Sequence, residues 1–347
     1  MNPLTLTLII FTLTLGSMLT MLSSHWLLAW MGLEMNLFAM IPLIIKSHNP
    51  RSIEGSTKYF LTQATASMIL MMSVMINFID SGQWSLIHMT NHLASYLMLF
   101  ALLTKLGAAP FHFWVPEVLQ STPLTTGMIL LTWQKLAPIS ILYQVAPSMN
   151  YYLLMTSAIT SILVGGWGGL NQTQLRKVMA YSSIAHMGWM IGIIMFNPTI
   201  TLLNLLIYVT MTLTLFTLFI INCSTTLVSL ATNWNKSPIT MTMVFITLMS
   251  TGGLPPFSGF IPKWLVIQEL IKNNNMIIPL SMSMLALISL FFYMRLTYST
   301  TLTMYPALNS TKLNWLYNKS NSTPLLAMLF VTSSLLLPIM PTLMFLE

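Results

Sequence analysis

Four charged residues are candidates for chemistry because each falls deep within an apolar stretch of the sequence. They are Glu34, Lys105, Lys135 and Lys263. A charge at the centre of a bilayer costs about 3 kcal/mol or more on insertion scales, so four of them need an explanation. Burial favours the neutral form of a lysine, whereas a nearby carboxylate favours its charged form. Such a lysine gains or loses a proton when its partner moves, and the four residues therefore predict a proton or ion path. The structural alternative is two buried ion pairs that only hold helices in place.

Two histidines are further candidates because a neutral imidazole titrates near pH 7 and suits proton relay. His112 follows Lys105, the first of the three candidate lysines, and His186 lies inside a later apolar stretch. For each of them, a packing role with a satisfied hydrogen bond is the alternative. Glu117 lies in the segment after His112, where we expect a loop whose acid is either solvated or fixes the loop.

Two of the apolar stretches are interrupted by glycine and proline, and each interruption carries a lysine. The first interruption covers 105–116, and the second covers 250–264 with Gly252-Gly253 and Pro255-Pro256. Proline removes a backbone donor and glycine has low helix propensity. A broken helix at membrane depth is tolerated only inside protein or beside water, and paired broken segments indicate an ion site. An ordinary proline kink is the alternative for each break taken singly.

The composition excludes most other classes of protein. Of 347 residues, 5% are charged and 55% are hydrophobic, whereas soluble domains carry about 25% charged residues. A soluble enzyme, a nucleic-acid-binding domain and a disordered chain are all excluded. The net charge of +7 comes from 13 scattered basic residues without a basic tract, so it indicates orientation rather than a nucleic-acid partner. With one cysteine, Cys223, and six unclustered histidines, we expect neither disulfides nor a bound metal.

The sequence contains eleven apolar stretches of about the 20 residues that a spanning helix needs. They cover 2–22, 25–46, 57–79, 93–110, 124–146, 150–171, 175–196, 199–222, 239–267, 276–297 and 324–345. The first stretch has no basic region before it, so we expect a membrane span rather than a cleaved signal. The loops are too short for another domain, and we predict an all-α polytopic protein with one membrane domain.

The interrupted stretches are the fourth and the ninth, and this spacing predicts an internal repeat. Because five is odd, two halves of five spans each would have inverted topology. The first repeat would cover 1–146 and the second 147–300. A loop and the last transmembrane helix would complete the chain over 301–347.

The basic residues sort strongly to one side of the predicted topology. The side of the N-terminus receives nine of them, namely Lys46, Arg51, Lys58, Arg176, Lys177, Lys236, Arg295, Lys312 and Lys319. The opposite side receives Lys272 alone, together with Asp80 and Glu347. Positive charge marks the cytoplasmic side or its equivalent, the mitochondrial matrix. We therefore predict an N-terminus in the matrix and a C-terminus on the far side.

Five segments carry a resemblance to a known family. They are Trp-Met-Gly-Leu-Glu-Met-Asn at 30–36, the first break at 105–116, Trp-Gln-Lys-Leu-Ala-Pro at 133–138, Asn-Gln-Thr-Gln-Leu-Arg-Lys at 171–177 with the following Tyr-Ser-Ser, and the second break at 252–264. Over its whole length the chain resembles the antiporter-like membrane subunits of respiratory complex I, NADH:ubiquinone oxidoreductase, in the animal mitochondrially encoded form. That form lacks three N-terminal helices of bacterial relatives, which agrees with eleven spans. The departures, at 119–121 and in the loop 306–323, do not touch the predicted path.

The resemblance implies a role for each candidate residue. Glu34 matches the acid that pairs with the first lysine, Lys105, on the first broken helix. Lys135 matches the central lysine, and Lys263 matches the charged residue on the second broken helix, towards the exit. The residues that match polar positions on the hydrated central axis are His112 and His186.

The resemblance also implies a function in proton translocation across the mitochondrial inner membrane, coupled to electron transfer from NADH to ubiquinone in other subunits. This chain is then expected to bind no cofactor, because NADH, FMN, iron–sulfur clusters and ubiquinone belong to those subunits. Its expected partners are the other membrane-arm and accessory subunits and the lipid bilayer, with cardiolipin as a candidate lipid. A stand-alone cation/proton antiporter and a purely structural membrane-arm subunit remain as alternatives.

Overall fold

The computed structural model describes residues 2–46, 48–86, 88–235, 237–302 and 324–339, and in these ranges every regular element is a helix. The α-helices are α1 (Pro3–Leu22), α2 (Trp26–Ile45), α3 (Pro50–Ser81), α4 (His92–Leu106), α5 (Trp114–Ser121), α6 (Leu124–Thr132), α7 (Leu136–Val145), α8 (Tyr151–Gly169), α9 (Leu175–Ile193), α10 (Pro198–Ile221), α11 (Leu227–Thr232), α12 (Pro238–Gly252), α13 (Phe260–Lys272), α14 (Ile277–Leu302) and α15 (Pro324–Leu335). Short 3₁₀ turns occur at Trp133–Lys135, Ala146–Ser148, Asn233–Asn235 and Leu337–Ile339. The predicted all-helical class is confirmed for these residues.

Five of the helices, α1, α2, α3, α10 and α14, are long and apolar enough to cross a membrane. The helices α4, α12 and most of α15 are apolar but shorter. Each of the eleven predicted stretches contains helix in its described part, and the fourth and ninth also contain a break. The number of eleven spans stays a prediction. Several sequence predictions lie outside the described residues, namely Lys236, Lys312, Lys319, Glu347 and the end of the last stretch beyond 339.

The predicted span 124–146 is not one regular helix. The 3₁₀ turn Trp133–Lys135 separates α6 from α7, and Leu136 donates its N–H to the carbonyl oxygen of Trp133. A regular α-helix would require Pro138 to donate to the carbonyl of Gln134, but proline has no N–H and its ring clashes there. The tighter turn removes this conflict one turn before the proline.

Two other boundaries differ from those that the sequence predicts. Helix α3 begins at Pro50 rather than at 57, since proline is well suited to the first turn of a helix. Glu117 lies in the first turn of α5, not in a loop. Both differences add helix at the ends of apolar stretches, where polar residues hide the boundary from a hydropathy pattern.

The chain divides into two compact units, Met1–Ser161 and Ile162–Glu347. In the first unit α3 packs against α2, α4 and α5, while α7 packs against α1, α2 and α4. In the second unit α10 packs against α9, α12, α13 and α15, while α14 packs against α9, α11, α12 and α13. In each unit the first half of the broken helix therefore packs against a long apolar helix before it and a helix beyond the break: α4 packs against α3 and α7, and α12 packs against α10 and α14.

In each unit two consecutive helices make a close backbone contact, α1 with α2 and α8 with α9. A Cβ atom at Gly32 would lie 2.7 Å from the carbonyl oxygen of Gly16, and α1 and α2 approach closely there. A Cβ atom at Gly165 of α8 would lie 2.6 Å from the amide nitrogen of Ala185 and 2.8 Å from the carbonyl oxygen of Tyr181 on α9. Small residues allow such contacts between membrane helices. Gly165 follows Gly16 by 149 positions, and Tyr181 follows Gly32 by the same number.

An isolated antiparallel bridge also recurs in each unit. His25 pairs with Ser85, and Gln174 pairs with Thr226. The hydrogen bonds run from the N–H of Trp26 to Trp84 O, Leu86 to Ser24 O, Leu175 to Thr225 O and Leu227 to Thr173 O, each at 3.1 Å. The start of α2 is thus hydrogen-bonded to the segment after α3, and the start of α9 is hydrogen-bonded in the same way to the segment after α10.

We predict that Gly32→Ala destabilises the chain in spite of the higher helix propensity of alanine. In an open helix the change would gain about 1 kcal/mol. Here the Cβ atom would meet the backbone of Gly16 at 2.7 Å, and overpacking of this kind costs about 1–3 kcal/mol. Thermal unfolding of the assembled protein measures the change. Gly252→Ala, whose Cβ atom meets nothing closer than 3.7 Å, is the control, and equal stability of the two variants would contradict the prediction.

Candidate functional site

The first broken helix places Lys105 at its very end. Helix α4 stops at Leu106, and Gly107 adopts a left-handed conformation with φ of 69°, donating its N–H to the carbonyls of Leu103 and Thr104. Glycine takes this conformation without steric cost. The Lys105 side chain is buried, with 7% exposed. It therefore lies where the free carbonyls of a helix C-terminus favour a cation.

Helix α5 reaches back to the end of α4 through Trp114. The indole Nε1 of Trp114 donates to the carbonyl oxygen of Thr104 at 3.0 Å. The Trp114 ring packs beside Tyr59 with 5.8 Å between ring centroids, and it lies over Gly107, where a Cβ atom would be 3.3 Å from Cζ2. The break is thus closed by an uncharged donor and by aromatic packing.

His112 lies within this break and is buried. Its Nδ1 atom lies 3.2 Å from the carbonyl oxygen of Pro110. Because a carbonyl can only accept, this contact places the proton on Nδ1. The Ala109–Pro110 peptide bond is cis. His112 does not line the cavity that holds Lys105, so the structure places it in the break but not beside the lysine cavity.

Lys105 and Lys135 line the same cavity. Lys135 ends the 3₁₀ turn between α6 and α7 and is buried, with 5% exposed. The volume open to the centres of water molecules is ≈ 20 Å³, and about 10–15 Å³ suffices for one water. Four uncharged polar residues also line it, namely Asn36, Tyr59, Gln63 and Gln134. The arrangement can hold water in hydrogen-bonding reach of two basic groups.

Glu34 lies on α2 and interacts electrostatically with Lys105, although no ion pair joins the two side chains in the described residues. Its Oε1 atom is buried without a hydrogen-bond partner among the described atoms. Tyr59, which lines the lysine cavity, is also within the electrostatic range of Glu34. The carboxylate is therefore close enough to act on the lysine through its field, and its contact with Lys105 stays a prediction.

The second broken helix brings Lys263 back onto the end of α12. Gly253 follows Gly252 with φ of 80° and donates its N–H to the carbonyls of Met249 and Ser250. The chain resumes as α13, and from its first turn Lys263 Nζ donates to the carbonyl oxygen of Gly252 at 2.7 Å. The lysine thus caps the helix that precedes it in the chain.

His186 and Lys263 line a second cavity, which lies within the second unit. Its volume open to water centres is ≈ 10 Å³, close to the lower limit for one water. The other residues lining it are Ser182, Ala185, Trp189, Thr251, Ser289 and Tyr293. The His186 ring also packs beside Tyr208, with 5.5 Å between centroids. The structure therefore brings together two residues that the sequence separates by 77 positions.

Several residues in the two cavities were missed by sequence reasoning that searched for charge. Asn36, Gln63 and Gln134 are uncharged amides in the first cavity, and Thr251 and Tyr293 are hydroxyl residues in the second. Asn and Gln in the middle of an apolar helix are a usable signal, because a buried amide needs hydrogen-bond partners. Ser, Thr and Tyr are too frequent in this chain to stand out in the same way.

Glu117 takes part in an exposed ion cluster outside both cavities. Lys58 Nζ lies 2.6 Å from Glu54 Oε1 and 2.8 Å from Glu117 Oε2. All three side chains are more than one-third exposed, so solvent screens both pairs and they contribute little to stability. The cluster joins α3 to the first turn of α5, and it identifies Glu117 as an acid that fixes the segment after the break.

In the described part of the chain, no group of three or more His, Cys, Asp or Glu side chains could hold a metal ion. Cys223 is exposed there as a free thiol. The reactive groups that line the two small cavities are lysine, histidine, amide and hydroxyl side chains.

Comparison with known sequences gives consistent matches. The transmembrane family described as NADH:quinone oxidoreductase/Mrp antiporter matches residues 23–289, and the NADH dehydrogenase subunit 2 C-terminus family matches residues 290–344. The chain is 60% identical to NADH-ubiquinone oxidoreductase chain 2 of Equus asinus over 347 residues, which is 100% of both chains. It is 59% identical to the protein of that name from Rhinoceros unicornis over 342 residues, 99% of each chain.

The fold is similar to that of solved membrane complexes. A chain of respiratory complex I from Thermus thermophilus with bound aureothin matches with a TM-score of 0.81 at 25% identity, over 96% of this chain and 79% of that one. A chain of the Mrp complex from Dietzia sp. DQ12-45-1b matches with a TM-score of 0.74 at 17% identity, over 83% of this chain and 59% of that one. The second likeness concerns the fold alone.

We predict that Trp114→Phe lowers stability more than Trp133→Phe does, by up to about 1 kcal/mol. Both changes remove an indole N–H and the same volume. Trp114 donates at 3.0 Å to Thr104 O, whereas Trp133 donates at 3.4 Å to Leu13 O, and a typical buried hydrogen bond contributes about 1 kcal/mol. Thermal unfolding of the assembled protein measures both variants. Equal losses would show that the indole bond does not close the first break.

Proposed function

The chain belongs to the NADH:quinone oxidoreductase/Mrp antiporter transmembrane family, and from this membership we propose that it is a membrane subunit of respiratory complex I. It takes part in proton translocation across the mitochondrial inner membrane, coupled to the NADH:ubiquinone oxidoreductase reaction. The carrying observation is the full-length match to complex I chains at 59–60% identity, which favours this function over a stand-alone antiporter. We place the N-terminus in the matrix and the C-terminus in the intermembrane space, on the strength of the charge distribution in the sequence.

The first cavity supports a proton-transfer step between two lysines. Lys105 and Lys135 line one polar space large enough for water. A change in charge or hydration arriving from a neighbouring subunit moves Glu34 relative to Lys105. The altered field changes the proton affinity of the lysine, and the proton passes through cavity water to Lys135. The buried Oε1 of Glu34, which has no hydrogen-bond partner among the described atoms, supports this role, because no hydrogen bond there holds this oxygen in place.

The second cavity supports a later step towards the intermembrane space. Lys263 and His186 line it together, and a neutral imidazole can pass a proton while a lysine holds one. Lys263 is the residue that releases the proton, and His186 is its relay. His112, which lies in the first break, serves as a second relay residue near the matrix side.

The two units support the internal repeat that the sequence predicts. Their first helix contacts recur after 149 positions, as do Trp26 and Leu175 in the two bridges. The broken helices recur after 146 positions. α4 and α12 both have 15 residues, each break begins with a left-handed glycine, and α5 and α13 begin at Trp114 and Phe260. We therefore propose two five-span repeats, with inverted topology because the separation is odd, a last transmembrane helix and eleven spans in total.

The proposed partners follow from membership in a complex. They are the other membrane-arm and accessory subunits and the surrounding lipid, with cardiolipin as a candidate. The electron carriers NADH, FMN, iron–sulfur clusters and ubiquinone are placed in other subunits. Redox energy then reaches this chain as a change in charge or structure at a neighbouring subunit.

We predict that Lys105→Met in the assembled complex lowers the number of protons pumped per electron. Methionine keeps most of the side-chain volume but cannot bind a proton. We expect proton pumping to fall to about half or less, with NADH oxidation retained in uncoupled membranes. Simultaneous measurement of NADH oxidation and proton uptake in vesicles gives the ratio.

Lys272→Met is the control for this experiment, because Lys272 is exposed and paired with Glu269 at 2.5 Å. It should leave the proton-to-electron ratio unchanged. If Lys105→Met also left the ratio unchanged, the subunit would be structural. Cation exchange by the purified chain alone in liposomes would instead establish a stand-alone antiporter.

A further inference from the structure

We propose that Gly252 and Gly253 form a positioning site that holds the protonated Lys263 as the cap of α12, so that release of its proton loosens the second break. The inference rests on the proposed function, because that function makes Lys263 a proton carrier. It adds that Gly253 acts on the reaction through the lysine, without touching the proton itself.

The geometry shows that the lysine side chain lies directly on Gly253. A Cβ atom at Gly253 would lie 2.7 Å from Lys263 Nζ, 2.9 Å from Cδ and 3.0 Å from Cε. Two features therefore favour glycine at this position: its φ of 80° suits glycine, and a side chain there would displace the flexible end of Lys263. Any other residue would move the ammonium away from the carbonyl oxygen of Gly252, which it now meets at 2.7 Å.

The charged form of the lysine is the better cap. The last carbonyls of a helix carry partial negative charge and have no partner within the helix. In a bilayer, water is not generally available to satisfy them. A hydrogen bond from an ammonium is about twice as strong as one between neutral groups. Loss of the proton therefore weakens the link between α12 and α13, and proton occupancy and closure of the break are coupled.

No carboxylate lines the second cavity among the described residues. The titratable groups that face it are His186 from α9 and Tyr293 from α14. From α10, Tyr208 packs against His186. A protonated His186 would repel the ammonium, and a tyrosine is neutral near pH 7. The partial negative charge that faces Lys263 thus comes from the backbone carbonyl of Gly252. Lys105, in contrast, is exposed to the full negative charge of Glu34.

The first break provides an internal comparison. There the donor from the second half-helix is the indole of Trp114, which reaches Thr104 O at 3.0 Å. An indole does not titrate, so the closure of this break does not depend on a proton at the donor. Of the two breaks, only the second is closed by a group that can lose its charge.

The test is Gly253→Ala in the assembled complex, with Gly82→Ala as the matched control. Gly82 also ends a helix with a φ of 69°, but a Cβ atom there meets nothing within 4 Å. Both variants carry the same kind of backbone strain, and only the first displaces the lysine. We expect Gly253→Ala to move the upper pH limit of proton pumping down by about one unit, since a lysine without its acceptor releases its proton at lower pH. Gly82→Ala should keep the wild-type profile.

Two variants, Lys263→Met and Lys263→Arg, distinguish the capping role of Lys263 from its role as a proton carrier. Amide hydrogen exchange in the last turn of α12 should be about tenfold faster in Lys263→Met and close to wild type in Lys263→Arg. Both variants should pump poorly, because neither side chain releases a proton.

If Lys263→Met pumps normally, the proposed function fails. If it pumps poorly but exchange is unchanged, or if Gly253→Ala matches Gly82→Ala, the positioning site is overturned and the proposed function stands. The exchange result decides the question if Gly253→Ala does not assemble.

Discussion

The rest of the structure depends on one constraint, which is that a backbone carbonyl within a bilayer needs a partner from the protein or from trapped water. An unbroken helix satisfies it internally, and this chain breaks two helices that the sequence pattern places at membrane depth. Each break begins with a left-handed glycine that donates its N–H to carbonyls of the preceding helix end. Each is then completed by a side chain from the next half-helix, Trp114 in one case and Lys263 in the other. The polar backbone that the breaks expose is what makes a buried lysine tolerable beside it.

The same constraint explains why the lysines are found where they are. A cation far from any opposite charge would be expensive in the membrane, and the chain offers two different sources of negative potential. Lys105 lies at the end of α4 and in the field of Glu34, while Lys263 meets a helix-end carbonyl directly. A carboxylate can move or be protonated, whereas a carbonyl is fixed. In the proposed function, the proton affinity of Lys105 therefore depends on the position of Glu34, whereas the hydrogen bond of Lys263 depends on whether this lysine carries its proton.

The sequence predicts the positions of the two breaks. It does not predict the turn at Lys135, the contact of Lys263 with Gly252 or the two cavities, and each of these has a physical reason. Glycine and proline at 107–110 and 252–256 act on the local backbone, so the positions of both breaks follow from residue type. The turn at Lys135 is harder to predict, because Pro138 acts on the carbonyl four residues earlier and Gln and Lys are good helix formers. The contact of Lys263 with Gly252 depends on how the chain folds back after seven irregular residues, which no local pattern specifies. The shared cavities join residues that are far apart in sequence, and they require the packing of the units.

The proposed internal repeat relates the two breaks to each other position by position. At a shift of 146 positions Lys105 corresponds to Thr251, and Glu117 corresponds to Lys263. Glu117 of the first unit is exposed and forms an ion pair with Lys58. Lys263 of the second unit lines a cavity together with His186. In the proposed inverted repeats these equivalent positions point to opposite sides of the membrane. Under this proposal, the backbone site would hold a fixed anchor for the segment after the break on the matrix side, and a carrier of protons on the other side. A duplicated scaffold can acquire a direction in this way without any change in its fold, because only the charge placed at one position differs.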